Sequence, residues 1–288
     1  MSLVIFGFGY TAEFFARQAR GRFVRVVATV RTPEKAGRMA DGGILGRVFP
    51  DAAGEHSLEA DIAAAEALLV SVSPGPDGDP VLARFSEAIA AAPRVGWIGY
   101  LSTVGVYGDH HGAWIDETTT PQPVSRRSVQ RLAAEEAWLD LGRRSGKAVQ
   151  VFRLAGIYGP GRSPLQKVVD GTAKRIVKAG QVFNRIHVED IAAVLAASLD
   201  RPRPGAIYNV ADDEPAPPQD VVAFAAGLLG VEPPPEQDYA TAELSPMART
   251  FYKDNRRVRN ERIKRELGVE LAYPSYREGL AALLDSLA

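Results

Sequence analysis

"VIFGFGYTAEFFA", residues 4–16, decides the fold of this chain. An apolar run from Val4 to Phe6 passes straight into Gly7-Phe8-Gly9 and then into a stretch of helical character. Strand, glycine loop and helix is the order a phosphate-binding turn requires. Gly7 permits the tight turn, and Gly9 leaves the backbone bare for a pyrophosphate. Ala12 is small enough for the helix to sit close to the sheet, with its N-terminal N–H groups aimed at the anion. The glycines alone would also make a ligand-free turn. At the first strand–helix junction of an alternating chain they predict a dinucleotide site, lined by Gly7, Phe8, Gly9, Tyr10 and Thr11.

The alternation continues outward from that loop. "VRVVATV" reads as a strand and "TPEKAGRMA" as a helix, with Thr32 as N-cap and Pro33 at the first helical position. "ALLVSVS" is a strand, broken by "PGPDGDP" before the helix "VLARFSEAIAAA". "RVGWIGYLST" and "AVQVFRLA" are further strands, separated by a helix opening at "SRRSVQRLAAEE". Nearly continuous apolar strands alternating with helices predict an α/β fold, a doubly wound parallel sheet covered on both faces. Ligands of such sheets collect at the carboxyl ends of the strands. Ser71, Val72, Ser73, Ser102, Leu154 and Ala155 stand at those ends and are expected at the cofactor.

The end of the second strand ordinarily chooses between the two nicotinamide cofactors, an acid there favouring the unphosphorylated ribose. Here "VVATVRTPEK" has Arg31 at the strand end and Lys35 one turn on, with no acid at the selecting position. A guanidinium suits a phosphate, so NADP(H) is expected in preference to NAD(H). The plainer alternative is that Arg31 caps a surface loop.

Composition limits the partners. The 288 residues carry 34 basic and 35 acidic side chains, a net charge of −1, so no global field recruits nucleic acid or an anionic membrane. The basic cluster "DNRRVRNERIKRE" alternates with acids at helical spacing and reads as a solvated helix face. With no cysteine, disulfides, thiolate nucleophiles and cysteine-ligated metals are excluded. The N-terminal apolar run lacks a basic lead and no stretch is long enough to span a bilayer, so a soluble, cytoplasmic protein is expected. Composition shifts after Gly156, where "GPGRSP", "RPRPG" and "DEPAPPQD" punctuate the chain. The expected division is a cofactor core of residues 1–155 and 181–212, with a small, mostly helical substrate lobe of residues 156–180 and 213–288.

"LSTVGVYG", "DETTTPQP", "FRLAGIYGPGR", "FNRIHVEDIAAVLAASL" and "IYNVADDEPAPPQDVV" occur in that order. On these motifs the chain resembles the extended short-chain dehydrogenase/reductase family, the NAD-dependent epimerases and dehydratases, over essentially its whole length. The resemblance implies a Rossmann core with a C-terminal substrate lobe. Two departures stand out. The family's three-glycine motif is here Phe6, Gly9 and Ala12, and Gly7 compensates in part, making the loop resemble the general dinucleotide fingerprint. The family's catalytic Tyr-x-x-x-Lys is also changed: aligning "RLAAEE" on the apolar run and glutamate that follow it puts Arg127 at the tyrosine and Arg131 at the lysine. The chain most resembles an atypical branch in which the catalytic set is poorly kept.

In hydride transfer to a carbonyl the developing alkoxide must be protonated, and arginine does not exchange a proton at neutral pH. Arg127 is therefore expected to grip an acidic substrate or an oxyanion, Arg131 to hold the nicotinamide ribose, and Thr103 to hydrogen-bond a substrate oxygen. Tyr107 and Tyr158 follow strands and are expected to face the cleft, Tyr107 as a catalytic candidate for supplying the proton and both for packing or substrate contact. Asn184, Arg185 and His187 complete the expected substrate wall, with His187 either titrating near neutrality or packing and capping the next helix. His110 and His111 have poor ligand spacing, and no metal is expected. Two readings stay open: an NADP-dependent oxidoreductase or epimerase with a relocated acid, and a non-catalytic NADP(H)-binding sensor. A small-molecule substrate or none is expected, and a homodimer is left open.

Overall fold

A computed structural model describes residues 1–50 and 55–285, so residues 51–54 of the expected core and 286–288 of the expected lobe lie outside the described residues. The strands, in chain order, are β1 (Ser2–Phe6), β2 (Arg25–Val30), β3 (Leu45–Val48), β4 (Ala67–Val70) and β5 (Trp97–Thr103). Then come β6 (Trp114–Ile115), β7 (Val149–Leu154), β8 (Gly156–Tyr158), β9 (Arg175–Val177) and β10 (Arg185–His187). The last are β11 (Ile207–Val210), β12 (Glu236–Asp238) and β13 (Arg257–Val258). Seven of them form one sheet in the order β11-β7-β5-β4-β1-β2-β3, and every pair in it is parallel. The interior strands β4 and β7 are buried at every position, as a sheet covered on both faces demands.

The early crossovers run through α1 (Tyr10–Gln18), α2 (Pro33–Arg38), α3 (Glu55–Ala64), α4 (Pro80–Ala91) and α5 (Arg126–Ser145). After these follow α6 (Pro164–Val169), α7 (Val188–Asp200), α8 (Pro218–Leu228), α9 (Pro246–Phe251), α10 (Glu261–Leu267) and α11 (Tyr276–Asp285). One apolar cluster, with Phe15, Trp97 and Phe152, fills one face of the sheet, and a second, with Phe6, Phe85, Tyr100 and Trp138, fills the other. Smaller clusters lie beyond β7: Leu165, Val221, Tyr276 and Leu280 in one, Ile176, Ala242 and Tyr252 in the other. No helix among the described residues is long and apolar enough to cross a membrane.

Strand order reverses between β1 and β4, and in a doubly wound sheet the ligand crevice opens beyond the carboxyl ends of the strands at that switch point. Those two ends carry Gly7–Thr11 and Ser71–Ser73.

One expectation fails here. "DNRRVRNERIKRE" is not a solvated helix face: only Glu261–Leu267 is helical, and the residues before it run extended, with Arg257–Val258 paired to β6 as β13. Tertiary bonds hold this segment. Arg256 donates to the carbonyl of Gly108 and Arg257 to the carbonyl of Gly112.

Candidate functional site

The glycine loop is built as a bare backbone cradle. Gly7 has φ +88°, and a β-carbon there would lie 3.0–3.2 Å from Val72 and Ser71, so both the turn and the approach of β4 require glycine. Its N–H donates to Thr29 Oγ1 at 2.8 Å, tying the turn to β2. At Gly9 a β-carbon would meet nothing within 4 Å. That open face sits at the N-cap of α1, where no side chain caps the helix. Uncapped N–H groups and an open backbone fit a pyrophosphate. Lys35 Nζ donates to the Phe8 carbonyl at 3.2 Å, which brings α2 onto the rim of the cradle. The turn before it is set by Thr32, which accepts from the Lys35 N–H at 3.3 Å as an N-cap. Arg31 is exposed at the end of β2.

Arg131 lies where β4 and β5 end. Its Nη1 donates to the Leu101 carbonyl (3.0 Å), the Tyr100 hydroxyl (3.1 Å) and the Val72 carbonyl (3.4 Å), and its Nη2 to Ser73 Oγ (3.2 Å). One turn further along α5, Glu135 is buried against Arg153 at 2.7 Å and accepts from the Ser102 hydroxyl. This buried pair fixes the rotation of α5 about its axis. Arg127 is exposed at the start of the same helix.

Beyond β5 two hydroxyls converge. A β-carbon on Gly105 would lie 3.3 Å from Thr103 Oγ1 and 3.4 Å from Ser128 Oγ. Thr103 Oγ1 accepts from the Gly105 N–H at 3.0 Å, and Ser128 Oγ accepts from the Ser125 hydroxyl at 2.8 Å. Each therefore has its own O–H left to donate. Neither serine was singled out from sequence, although Ser125 obeys the N-cap rule, accepting from the Ser128 N–H at 3.1 Å.

The expected tyrosines turn away from this cleft. Tyr107 is fully buried, donates to Asn209 Oδ1 at 2.8 Å and lies beneath the Arg153 guanidinium; burial pushes its phenol up. Tyr158 is buried with its hydroxyl on the Ser275 carbonyl at 3.3 Å, and burial raises it strongly. Tyr100 stands beside Arg131 but is fully enclosed, and burial raises it too. None offers an accessible phenol.

Other expected contacts are occupied by structure. The Ser102 hydroxyl donates its proton to Glu135, which leaves only its lone pairs for any cofactor contact. Asn184 donates to the Arg256 carbonyl at 3.0 Å and accepts from the Val258 N–H at 2.8 Å. Arg185 donates to the carbonyls of Phe183 (2.9 Å) and Ala216 (3.2 Å). His187 does not titrate near neutrality: burial pulls it down to about 4, and its Nδ1 accepts from the Glu189 N–H at 3.3 Å as the cap of α7. Leu154 and Ala155 are buried, and Gly156 beside them is exposed. His111 is exposed and pairs with Asp109 at 3.0 Å, whereas His110 rests 3.1 Å from the Tyr107 carbonyl. Among the described residues no three His, Asp or Glu side chains could hold a metal ion.

The model of the NAD-dependent epimerase/dehydratase family matches residues 84–211. Protein YeeZ of Escherichia coli (strain K12) is 32% identical over 217 residues, covering 73% of this chain and 72% of the relative. A 3-diazoavenalumate denitrifying reductase from Streptomyces sp is 27% identical over 243 residues, covering 78% and 67%. Among solved structures, a functionally unknown conserved protein from Silicibacter pomeroyi is 48% identical, with TM-score 0.88 and 99% of each chain covered. A dTDP-glucose 4,6-dehydratase from Bacillus anthracis, solved in complex with NAD, shares the fold at 18% identity, with TM-score 0.79 over 99% of this chain and 97% of that one.

Proposed function

The chain belongs to the NAD-dependent epimerase/dehydratase family, and from that premise we propose that it is an NADP(H)-dependent oxidoreductase or epimerase acting on a small polar substrate, with a proton donor other than the family's phenol. The observation that carries this reading is the open face of Gly9 at the uncapped start of α1, with Lys35 drawn onto the loop beside it. When bound, a reduced nicotinamide would supply a hydride to a carbonyl carbon. Gly7–Thr11 would hold the pyrophosphate, Arg31 and Lys35 the 2′-phosphate, and Arg131 with Ser73 the nicotinamide ribose. The relative named as a reductase supports a redox role in the same direction.

The proton is assigned to hydroxyls. Thr103 would hold the substrate oxygen, and Ser128 would pass its proton to that oxygen as the carbonyl π bond opens. Ser128 would recover a proton from Ser125, which recovers one from water. A hydroxyl relay needs no group titrating near neutrality. Arg127, exposed at the mouth, would attract an anionic substrate and stabilise charge without exchanging a proton.

A non-catalytic sensor of NADP(H) is the second reading, and the burial of Tyr100, Tyr107 and Tyr158 favours it. Gly9→Val tests what both share. A side chain there occupies the pyrophosphate's space without touching the protein, so dinucleotide binding should be lost with an unchanged thermal melt. Retained binding in a calorimetric titration would remove the site from this loop. NADPH oxidation across a panel of carbonyls then separates enzyme from sensor.

A further inference from the structure

We propose that Arg162, delivered by the first turn of the substrate lobe, is a clamp on the cofactor's pyrophosphate; the proposal rests on the dinucleotide reading of Gly7–Thr11. The turn Gly159–Arg162 closes on itself through reciprocal backbone bonds, Gly159 N–H to the Arg162 carbonyl at 3.1 Å and Arg162 N–H to the Gly159 carbonyl at 2.9 Å. Gly161, at its corner, has φ +70°. This turn is docked on the phosphate loop. Tyr10, the first residue of α1, donates its hydroxyl to the Pro160 carbonyl at 3.0 Å. Gly159 lies so close beneath that hydroxyl that a β-carbon would come within 2.6 Å of it and 2.7 Å of Val188. Only glycine fits this contact, and φ +154° at the same residue points the same way.

The docked turn holds the Arg162 guanidinium 5.8 Å from the centre of the Tyr10 ring. Its positive charge is felt there, opposing the burial that raises the Tyr10 phenol. Arg162 is exposed, and no carboxylate pairs with it among the described residues, whereas Arg17 on the same stretch of surface is paired with Glu13 at 3.3 Å. An unpaired guanidinium, carried on a stiff turn to the first residue of the phosphate helix, is placed for one class of ligand: the dianionic diphosphate that the bare N-terminus of α1 would bind. Because the cation belongs to the lobe and the N–H groups to the core, a bound pyrophosphate ties the two together. The residues after β7, which border the substrate space, are thereby ordered by the cofactor.

Calorimetric titration of NADPH and NADH into the 288-residue chain decides it. Arg162→Ala is expected to weaken both dinucleotides by the same factor, about tenfold or more for a lost charge-assisted contact, with Arg162→Lys recovering part. Arg31→Ala should weaken NADPH alone. Binding of 2′-AMP, which has the 2′-phosphate and no pyrophosphate, should be equal in wild type and Arg162→Ala. Addition of NADPH should slow amide exchange across residues 156–163 in the wild type and leave it fast in Arg162→Ala. Wild-type affinity for both dinucleotides in Arg162→Ala, or equal protection of the turn, overturns the clamp and leaves the glycine-loop reading standing. Failure of the wild type to bind either dinucleotide overturns both.

Discussion

His187 shows what a single residue in this fold can and cannot do. It is 1% exposed, its Nδ1 accepts the Glu189 N–H, and its ring lies against Tyr158 and Tyr273. Burial lowers its pKa from 6.5 to about 4, so the folded ring stays neutral where an unfolded one takes a proton. The unfolded chain therefore binds more protons between these values. The stability this group contributes is complete above about pH 6.5 and is lost as pH falls toward 4. His187→Asn keeps a capping oxygen and removes the titration. Melts at pH 7.5 and 4.5 should show the wild type ahead at the higher pH and the gap closing at the lower; a pH-independent gap would contradict the assignment. From sequence, the residue's two roles could not be separated, because burial is a property of partners such as Tyr273 that lie far along the chain. The glycine loop was legible for the opposite reason: its chemistry is local, contained in Gly7, Gly9 and Ala12.

Among elements, α4 and α5 depend on each other through Asp79. This residue is the last but one of "PGPDGDP" and caps α4, its Oδ1 accepting from the N–H groups of Val81 (2.9 Å) and Leu82 (3.1 Å). Its Oδ2 accepts from the Trp138 indole N–H of α5 at 3.1 Å, and both residues are buried. Asp79→Ala would uncap one helix and strand a buried donor on the other, for a loss of about 2–4 kcal/mol in urea unfolding. Asp79→Asn keeps one accepting oxygen and should cost less; equal losses would mean the carboxylate matters only as a charge. Since Ser125 caps α5 and the helix carries Ser128 and Arg131, its anchoring bears on the cleft. Strand–helix alternation made the principal strands and most of their intervening helices readable, and Thr32 marked α2 correctly, but α3 between β3 and β4 had no such signal. The edge strand β3 was passed over because "LGRV" is short, contains glycine and is never fully buried, so it has no apolar run to announce it. The small pairs β10–β8, β12–β9 and β13–β6 were invisible because each joins segments remote in sequence. The charge alternation in "DNRRVRNERIKRE" imitates a helix, but carbonyls of the loop after β5 hold its arginines in an extended path.

At the scale of the whole molecule, one residue of that misread segment ties three distant stretches together. The Asn255 N–H donates to Asp109 Oδ1 at 2.7 Å, and its carbonyl accepts from the N–H groups of His110 (3.0 Å) and Gly112 (2.9 Å). Its side chain does the rest: Oδ1 accepts from the Val182 N–H at 3.2 Å and Nδ2 donates to the Gly180 carbonyl at 2.9 Å. The loop after β5, the approach to β10 and the C-terminal segment thus meet on a single asparagine. Asn255→Ala keeps the backbone half of this junction and deletes the side-chain half. Val182 is buried, so its N–H would be orphaned, at a cost of about 1–3 kcal/mol. The loss should be local, because the parallel sheet has its own core and its own ladder. Amide exchange is therefore expected to quicken in residues 178–184, to change little in residues 108–115, which keep their backbone bonds, and to stay slow in β1 and β4. Unchanged exchange at 178–184 would show that the side chain holds nothing. Acceleration spread through β1 and β4 would show instead that the junction and the sheet unfold as one unit.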